Sequence, residues 1–262
     1  VVNKLRRQLN EKRIGHTGTL DPQAEGVLVV LLGKATKAMP FLVSHRKEYR
    51  AKLKLNLKTD TGDIWGETIE TRNVPFPSEN EIQVALKSML GKSMQLPPMV
   101  SAIRVDGKRL YEYARQNIEV KRESRPIEIE SIQLLAIDEE IEFSVVCSSG
   151  TYIRTLCEDI AEKLKTVGTM SALTRTKVQD YAVEECQNLE GLTPQNVNLR
   201  SLTSALSHLP SVEIEDPTFV FHGKPLLLDR TDDQLLILHE GEALAVYQKT
   251  EQGLYRSVRG LW

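Results

Sequence analysis

The chain has 262 residues, 40% of them hydrophobic and 27% charged. That composition excludes a collagen-like or low-complexity chain and leaves room for one large or two modest domains. The longest apolar run, residues 27–32, is far short of the roughly 20 residues that a membrane-spanning helix needs, so no membrane span is expected.

The formal net charge of −2 conceals an uneven distribution. Residues 1–60 carry 13 Lys/Arg and 5 Asp/Glu, a local +8; residues 61–207 and 208–262 carry −6 and −4. A basic first quarter on a mildly acidic body is the pattern of a localised polyanion site, although a solvated charged surface gives the same count. The opening VVNKLRRQLNEKR has neither an apolar signal core nor a small-residue cleavage site, so a cytoplasmic address is expected. Cys147, Cys157 and Cys186 are odd in number and widely spaced, without a C-x-x-C pair. No disulfide framework or zinc site is expected from them, only small buried hydrophobes.

In chain order, residues 1–12 read as a basic amphipathic helix with Val1, Val2, Leu5 and Leu9 at helical spacing. Residues 15–26 form a Gly-, Thr-, Asp- and Pro-rich loop, and residues 27–32 suit a strand buried on both faces. A short helix is expected over 35–43. Residues 48–57 then alternate Tyr49, Ala51, Leu53, Leu55 and Leu57 with polar residues, as a half-buried strand does.

Ser78 to Glu81 has the form of a capping box opening a helix to about residue 89, and Leu96-Pro97-Pro98 interrupts the chain before 99–105. A helix over 108–115 and strands over 126–137 and 140–147 follow. Ser148-Ser149-Gly150 leads into a helix from about Tyr152 to Leu164. A loop and a short helix fill 193–209, and residues 210–217 mark a domain boundary. Beyond them, short apolar stretches separated by turn residues predict a small β-rich module.

Singly, the candidate chemical residues carry little. An Asp-Pro pair such as Asp21-Pro22 is ordinarily a turn former, His16 a loop residue, Tyr49 a strand-face aromatic and Arg154 a first-turn helix residue. The string KRIGHTGTLDPQAEGVLVVLLGKATK (12–37) changes this, because it resembles the signature loop of the TruB family of pseudouridine synthases. The resemblance continues through KEYRAKLKLNLKTDTGDIWG (47–66), QLPPMVSAIRVDGKRLYEYAR (95–115) and SSGTYIRTLCEDI (148–160), in order over about residues 1–180. The tail is similar to the small RNA-binding PUA domain.

The resemblance implies an α+β fold. A catalytic domain over 1–210 is built on a mixed, mainly antiparallel sheet with flanking helices, and a PUA-like module occupies 211–262. It implies isomerisation of a uridine in the T loop of tRNA, at position 55, with Asp21 as nucleophile, Tyr49 as the aromatic that stacks on the base, and Arg154 as the cation holding Asp21 ionised. Leu173 would wall the base and His16 would fill the vacancy that the everted base leaves. Gly15, Thr19 and Lys47 complete the substrate contacts, and Lys4, Arg6, Arg7, Lys12, Arg13 and Arg46 are phosphate-contact candidates.

No cofactor or metal is required, because the reaction involves no net oxidation or hydrolysis. The expected partner is the T arm of tRNA, without guide RNA, and the expected state is a monomer. The alternative is an RNA-binding or tRNA-folding protein of the same fold without catalysis; an aspartate-dependent nucleoside hydrolase is a third class. Three positions, Val100, Arg104 and Thr174, depart from the common family pattern. The family's K-P-x-G-x-T-S segment does not precede Val1, so a preceding segment is expected to be missing from this chain.

Overall fold

The structure, a computed structural model, describes residues 1–42 and 46–262. Two compact units result: one of Leu20–Val27 and Ser44–Glu184, the other of Val1–Thr19, Leu28–Val43 and Glu185–Trp262.

The first unit is organised by a seven-stranded sheet. Along its main path the strands run Tyr181–Ala182, Gly168–Val178, Arg46–Leu55, Ile141–Ser148, Arg125–Ile137 and Gly91–Gln95, all antiparallel, and Glu25–Gly26 joins Thr174–Arg175 in parallel. The expected alternation holds in Arg46–Leu55: Tyr49, Ala51, Leu53 and Leu55 are buried and the intervening Arg50, Lys52 and Lys54 are exposed. Asn56, at φ 65°, ends that strand before Leu57, which begins a separate short strand with Lys58 and Thr59.

Helix Ile153–Lys163 buries Ile153, Leu156, Cys157, Ile160 and Ala161, the spacing of one helical face, in the same core as Leu53 and Phe143. A side chain buried as fully as Phe143 contributes on the order of 2 kcal/mol. The capping box is present: Ser78 accepts from the Glu81 amide, and the Glu81 carboxylate accepts from the Ser78 amide, at the start of helix Glu79–Lys87.

The second unit contains helix Val2–Gln8, the hairpin-like pair Ile14–His16 and Val30–Leu32, the 3-10 helix Gly33–Phe41, and a four-stranded sheet. In that sheet Ser211–Glu213 lies parallel to Gln234–His239, which pairs antiparallel with Glu242–Lys249 and that in turn with Tyr255–Gly260. The β-rich tail is therefore as expected.

Several expectations are corrected. Residues 27–32 do not form one strand buried on both faces: only Val27 and Leu31 are buried, and the strand is the short Val30–Leu32. The opening helix stops at Gln8, with Asn10 at φ 50°. The expected helix over 35–43 is 3-10, and its last residue, Val43, lies outside the described residues. Lys108 and Arg109 belong to a two-residue ladder with Arg104–Val105, and the helix is Leu110–Ala114. Gly168–Val178, next to the middle of the large sheet, carries no warning in the elements read from sequence. Cys147 and Cys157 are buried as expected, whereas Cys186 is exposed.

Candidate active site

Asp21 lies in the loop that ends in the short Glu25–Gly26 strand, and its carbonyl accepts from the Ala24 amide at 3.0 Å, closing a turn around Pro22. Arg154 comes from the first turn of helix Ile153–Lys163. Its Nε donates to Asp21 Oδ2 at 3.0 Å and its Nη2 to Oδ1 at 3.3 Å, a fork of two parallel bonds. The guanidinium also donates to the backbone carbonyls of Thr61 at 2.7 Å and Val100 at 2.8 Å.

The Arg154 side chain is 4% exposed and that of Asp21 37%, so the cation is sealed while the carboxylate keeps an open side. The contact from residue 100 is made by its main-chain carbonyl, so it does not depend on the Val100 side chain.

The start of the Arg154 helix is held in an unusual way. Tyr152 precedes it without a capping side chain, and buried Gln95 takes over: its amide donates to the Tyr152 carbonyl at 3.1 Å and accepts from the Tyr152 amide at 2.8 Å. Across from the helix, Gly62 adopts φ +75°, and a Cβ there would lie 3.3 Å from Arg154 Cβ. The Thr61 carbonyl can therefore reach the guanidinium only on a close, glycine-permitted turn.

Tyr49 sits opposite Val145 on one side and Arg175 on the other. Its hydroxyl is pushed above the ordinary tyrosine value by burial first; the positive charge of Arg175 pulls the other way, and Cys147 and then the Asp21 carboxylate add to the rise. Arg175 is 2% exposed and donates from Nε to the Val27 carbonyl at 2.7 Å, which ties the Asp21 loop to the sheet. Lys47 is pushed below the ordinary lysine value, by burial first and then by Arg175. Cys147, opposite Lys47, is pushed up to about 11, chiefly by burial.

A cleft of about 190 Å³ opens over the carboxylate, lined by Asp21, Pro22, Gln23, Ala24, Asp63, Trp65, Val100, Met170 and Leu173. Asp21, Arg154, Tyr49, Lys47 and Leu173 thus fall in one unit around one strand pair; Tyr49 does not line the cleft itself. Such a site offers an anchored carboxylate with an open face under an apolar wall, the equipment of a nucleophile facing an uncharged group. Among the described residues no cluster of His, Cys, Asp and Glu is arranged to hold a metal.

The remaining candidates are in the other unit, apart from Arg46. His16 ends the Ile14–His16 strand opposite Val30, is half-buried, and its Nδ1 has no hydrogen-bond partner among the described residues. Gly15 pairs with Leu31 and is half-buried; Thr19 is exposed. Arg6, Arg7, Lys12 and Arg13 are exposed; Lys4 pairs with Glu190 at 3.4 Å, and exposed Arg46 pairs with Glu130 at 2.9 Å.

Arg175, Asp63, Met170 and Trp65 are site residues that the sequence motifs do not mark individually, whereas Gln95 opens the segment 95–98, expected to shape the sheet edge near the cleft. Arg175 lies two residues after Leu173 and carries no signal of its own, because a buried arginine is recognised by its acceptors and these lie far away in the chain.

The family model described as TruB family pseudouridylate synthase (N terminal domain) matches residues 6–153, and that described as tRNA pseudouridylate synthase B C-terminal domain matches 154–209. The chain is 38% identical to the tRNA pseudouridine synthase B of Oceanobacillus iheyensis, covering 94% of this chain and 87% of that protein. It is 40% identical to the protein of the same name from Clostridium tetani, covering 97% and 91%. Among solved structures, an H/ACA RNP bound to a substrate RNA containing 2′-deoxyuridine matches with a TM-score of 0.71 at 24% identity, over 100% of this chain and 80% of that one, a likeness of fold alone. A Cbf5-Nop10-Gar1 complex matches at 0.67 and 25% identity, over 95% and 73%.

Proposed function

Because the chain belongs to the TruB family of pseudouridylate synthases, we propose that it converts uridine to pseudouridine in the T loop of tRNA, at position 55, with Asp21 as nucleophile. The observation that carries the reading is the Asp21–Arg154 fork at the floor of a cleft walled by Leu173.

The reaction breaks the bond from C1′ to N1, turns the base and joins C1′ to C5; C5 loses a proton and N1 carries one in the product. An ionised carboxylate starts it by attacking C1′ or C6. Arg154, sealed beneath, holds both Asp21 oxygens in its fork and turns the carboxylate's open face toward the cleft.

The uridine lies inside a folded loop, so it must be everted, at a cost of a few kcal/mol, before Asp21 can reach it. Leu173 supplies the apolar wall for the everted base; Tyr49, buried behind the cleft in this structure, is assigned the ring that stacks on the base and the hydroxyl that handles the C5 proton. Tyr49→Phe separates these two roles: stacking survives the change and proton handling does not. His16, with Gly15 and Thr19 around it, fills the vacated place in the loop, and Lys47 contacts substrate.

Lys4, Arg6, Arg7, Lys12, Arg13 and Arg46 bind phosphates, and residues from 211 onward act as a PUA-like RNA-binding module beside a catalytic domain ending at 210. The protein acts in the cytoplasm as a monomer, without guide RNA or cofactor.

The test is incubation of an unmodified tRNA transcript with the protein, followed by chemical mapping of pseudouridine. One modified site in the T loop is expected, without added metal or nucleotide. Asp21→Asn should abolish the product while RNA binding persists; a non-catalytic RNA-folding protein would be indifferent to that change. Release of free uracil would overturn the isomerase reading in favour of a hydrolase.

A further inference from the structure

We infer that Trp65 is a stacking platform for a nucleotide flanking the target uridine, an inference that rests on the proposed reaction at Asp21. Trp65 lines the same cleft as Asp21 and Leu173, yet the residue is 50% exposed. An indole left half in water forfeits much of its burial energy, and among the described residues no ring or cation lies over it.

The turn that presents this indole is held firmly. Asp63 Oδ1 accepts from the Thr61 hydroxyl at 2.7 Å and from the Trp65 amide at 3.2 Å, and the Asp63 carbonyl accepts from the Gly66 amide at 3.2 Å. Met170, in the Gly168–Val178 strand, accepts from the Ile64 amide at 3.0 Å and donates to the Gly62 carbonyl at 3.1 Å. Arg154 takes the Thr61 carbonyl. The turn is thus fastened both to the sheet and to the cation that clamps Asp21, which fixes the indole's attachment point relative to the carboxylate.

Everting one base exposes a face on each of its neighbours; His16 covers one of these faces, and the other is left without a stacking partner. A ring mounted on a rigid turn at the lip of the receiving cleft offers that partner, and any base suffices because every base has a flat face. Only the two side-chain torsions of the tryptophan need ordering on contact. Trp65 therefore acts on the capture of the everted state, and belongs to binding rather than to bond making.

The probe is an unmodified T-arm RNA hairpin. The chain has two tryptophans, so Trp262→Phe leaves Trp65 as the single indole reporter. Titration with the hairpin should quench its fluorescence. Trp65→Ala should raise KM by about 5- to 150-fold with kcat unchanged, and Trp65→Phe should recover most of the loss. Its half-exposed position predicts an unchanged thermal midpoint for Trp65→Ala, which separates lost stacking from lost folding.

Unquenched fluorescence, or a Trp65→Ala variant whose KM stays at the wild-type value, would overturn the platform. If pseudouridine still forms in that case, the reaction stands alone. Quenching and weakened binding with no pseudouridine from any variant would instead sink the reaction and keep the platform.

Discussion

A Cβ placed on Gly26 would stand 2.1 Å from the carbonyl oxygen of Arg175. The two backbones meet there because the Gly26 strand pairs in parallel with Thr174–Arg175, and the Val27 amide donates to that same carbonyl at 2.9 Å. Gly26 also holds φ +102°, which side-chain-bearing residues rarely adopt. Gly26→Ala should therefore cost on the order of 2 kcal/mol in strain. By displacing the loop that carries Asp21 it should also lower kcat about 100-fold. Urea denaturation and single-turnover kinetics check both; a variant with normal turnover would mean that Asp21 is positioned without this pairing.

Arg154→Lys keeps a positive charge and loses the fork. A single ammonium cannot serve both oxygens of Asp21 together with the Thr61 and Val100 carbonyls in the fixed plane that the guanidinium spans. The expected result is a fall in kcat on the order of 100-fold with RNA affinity retained. Retention of wild-type turnover by the lysine variant would show that charge alone is what Asp21 needs.

Glu158 shares the Arg154 helix, and its carboxyl lies above the ordinary value of 4.5, by burial first and also by the neighbouring Asp159, against the pull of Lys58, Arg154 and Arg122. The folded chain then holds this proton more tightly than the unfolded chain does. Stability from this group is complete below 4.5 and is lost as pH rises through the raised value. Glu158→Gln has no proton to lose, so its stability relative to wild type should grow between pH 4 and pH 7. Urea midpoints at the two pH values measure this, and a gap independent of pH would refute the assignment.

RNA binding should weaken steeply with salt. Arg6, Arg7, Lys12 and Arg13 are exposed, and the surface pairs Lys4–Glu190 and Arg46–Glu130 are cheap to break. Four phosphate contacts would give a slope of about −3 in log K against log salt, and each Arg→Gln change should flatten it by about 1. A flat dependence would remove the basic first quarter from the binding surface.

Legibility divided along the range of the interactions. The alternation of Tyr49, Ala51, Leu53 and Leu55 and the Ser78–Glu81 box are local patterns, and both hold in the structure. Asp21, Tyr49 and Arg154 are legible as members of sequence motifs and Leu173 through the family resemblance, and the structure brings the four into one unit. The strand Gly168–Val178 is absent from the elements that the sequence pattern predicts, although the family resemblance names Leu173 within it. The expected strand over 27–32 shortened to Val30–Leu32, because an apolar run records a preference for burial and not the partner that provides it.

By itself, then, the sequence determined the motifs, and their resemblance to the TruB family singled out a carboxylate in a glycine-rich loop, an arginine opening a helix and an aromatic on a strand. Only the tertiary structure decided that Arg154 is sealed while Asp21 stays open, that Arg175 binds the Val27 carbonyl, and that Trp65 stands at the cleft's lip. The reason is physical: burial and hydrogen-bond acceptors for these side chains come from segments as much as 148 residues away, and no local pattern encodes them.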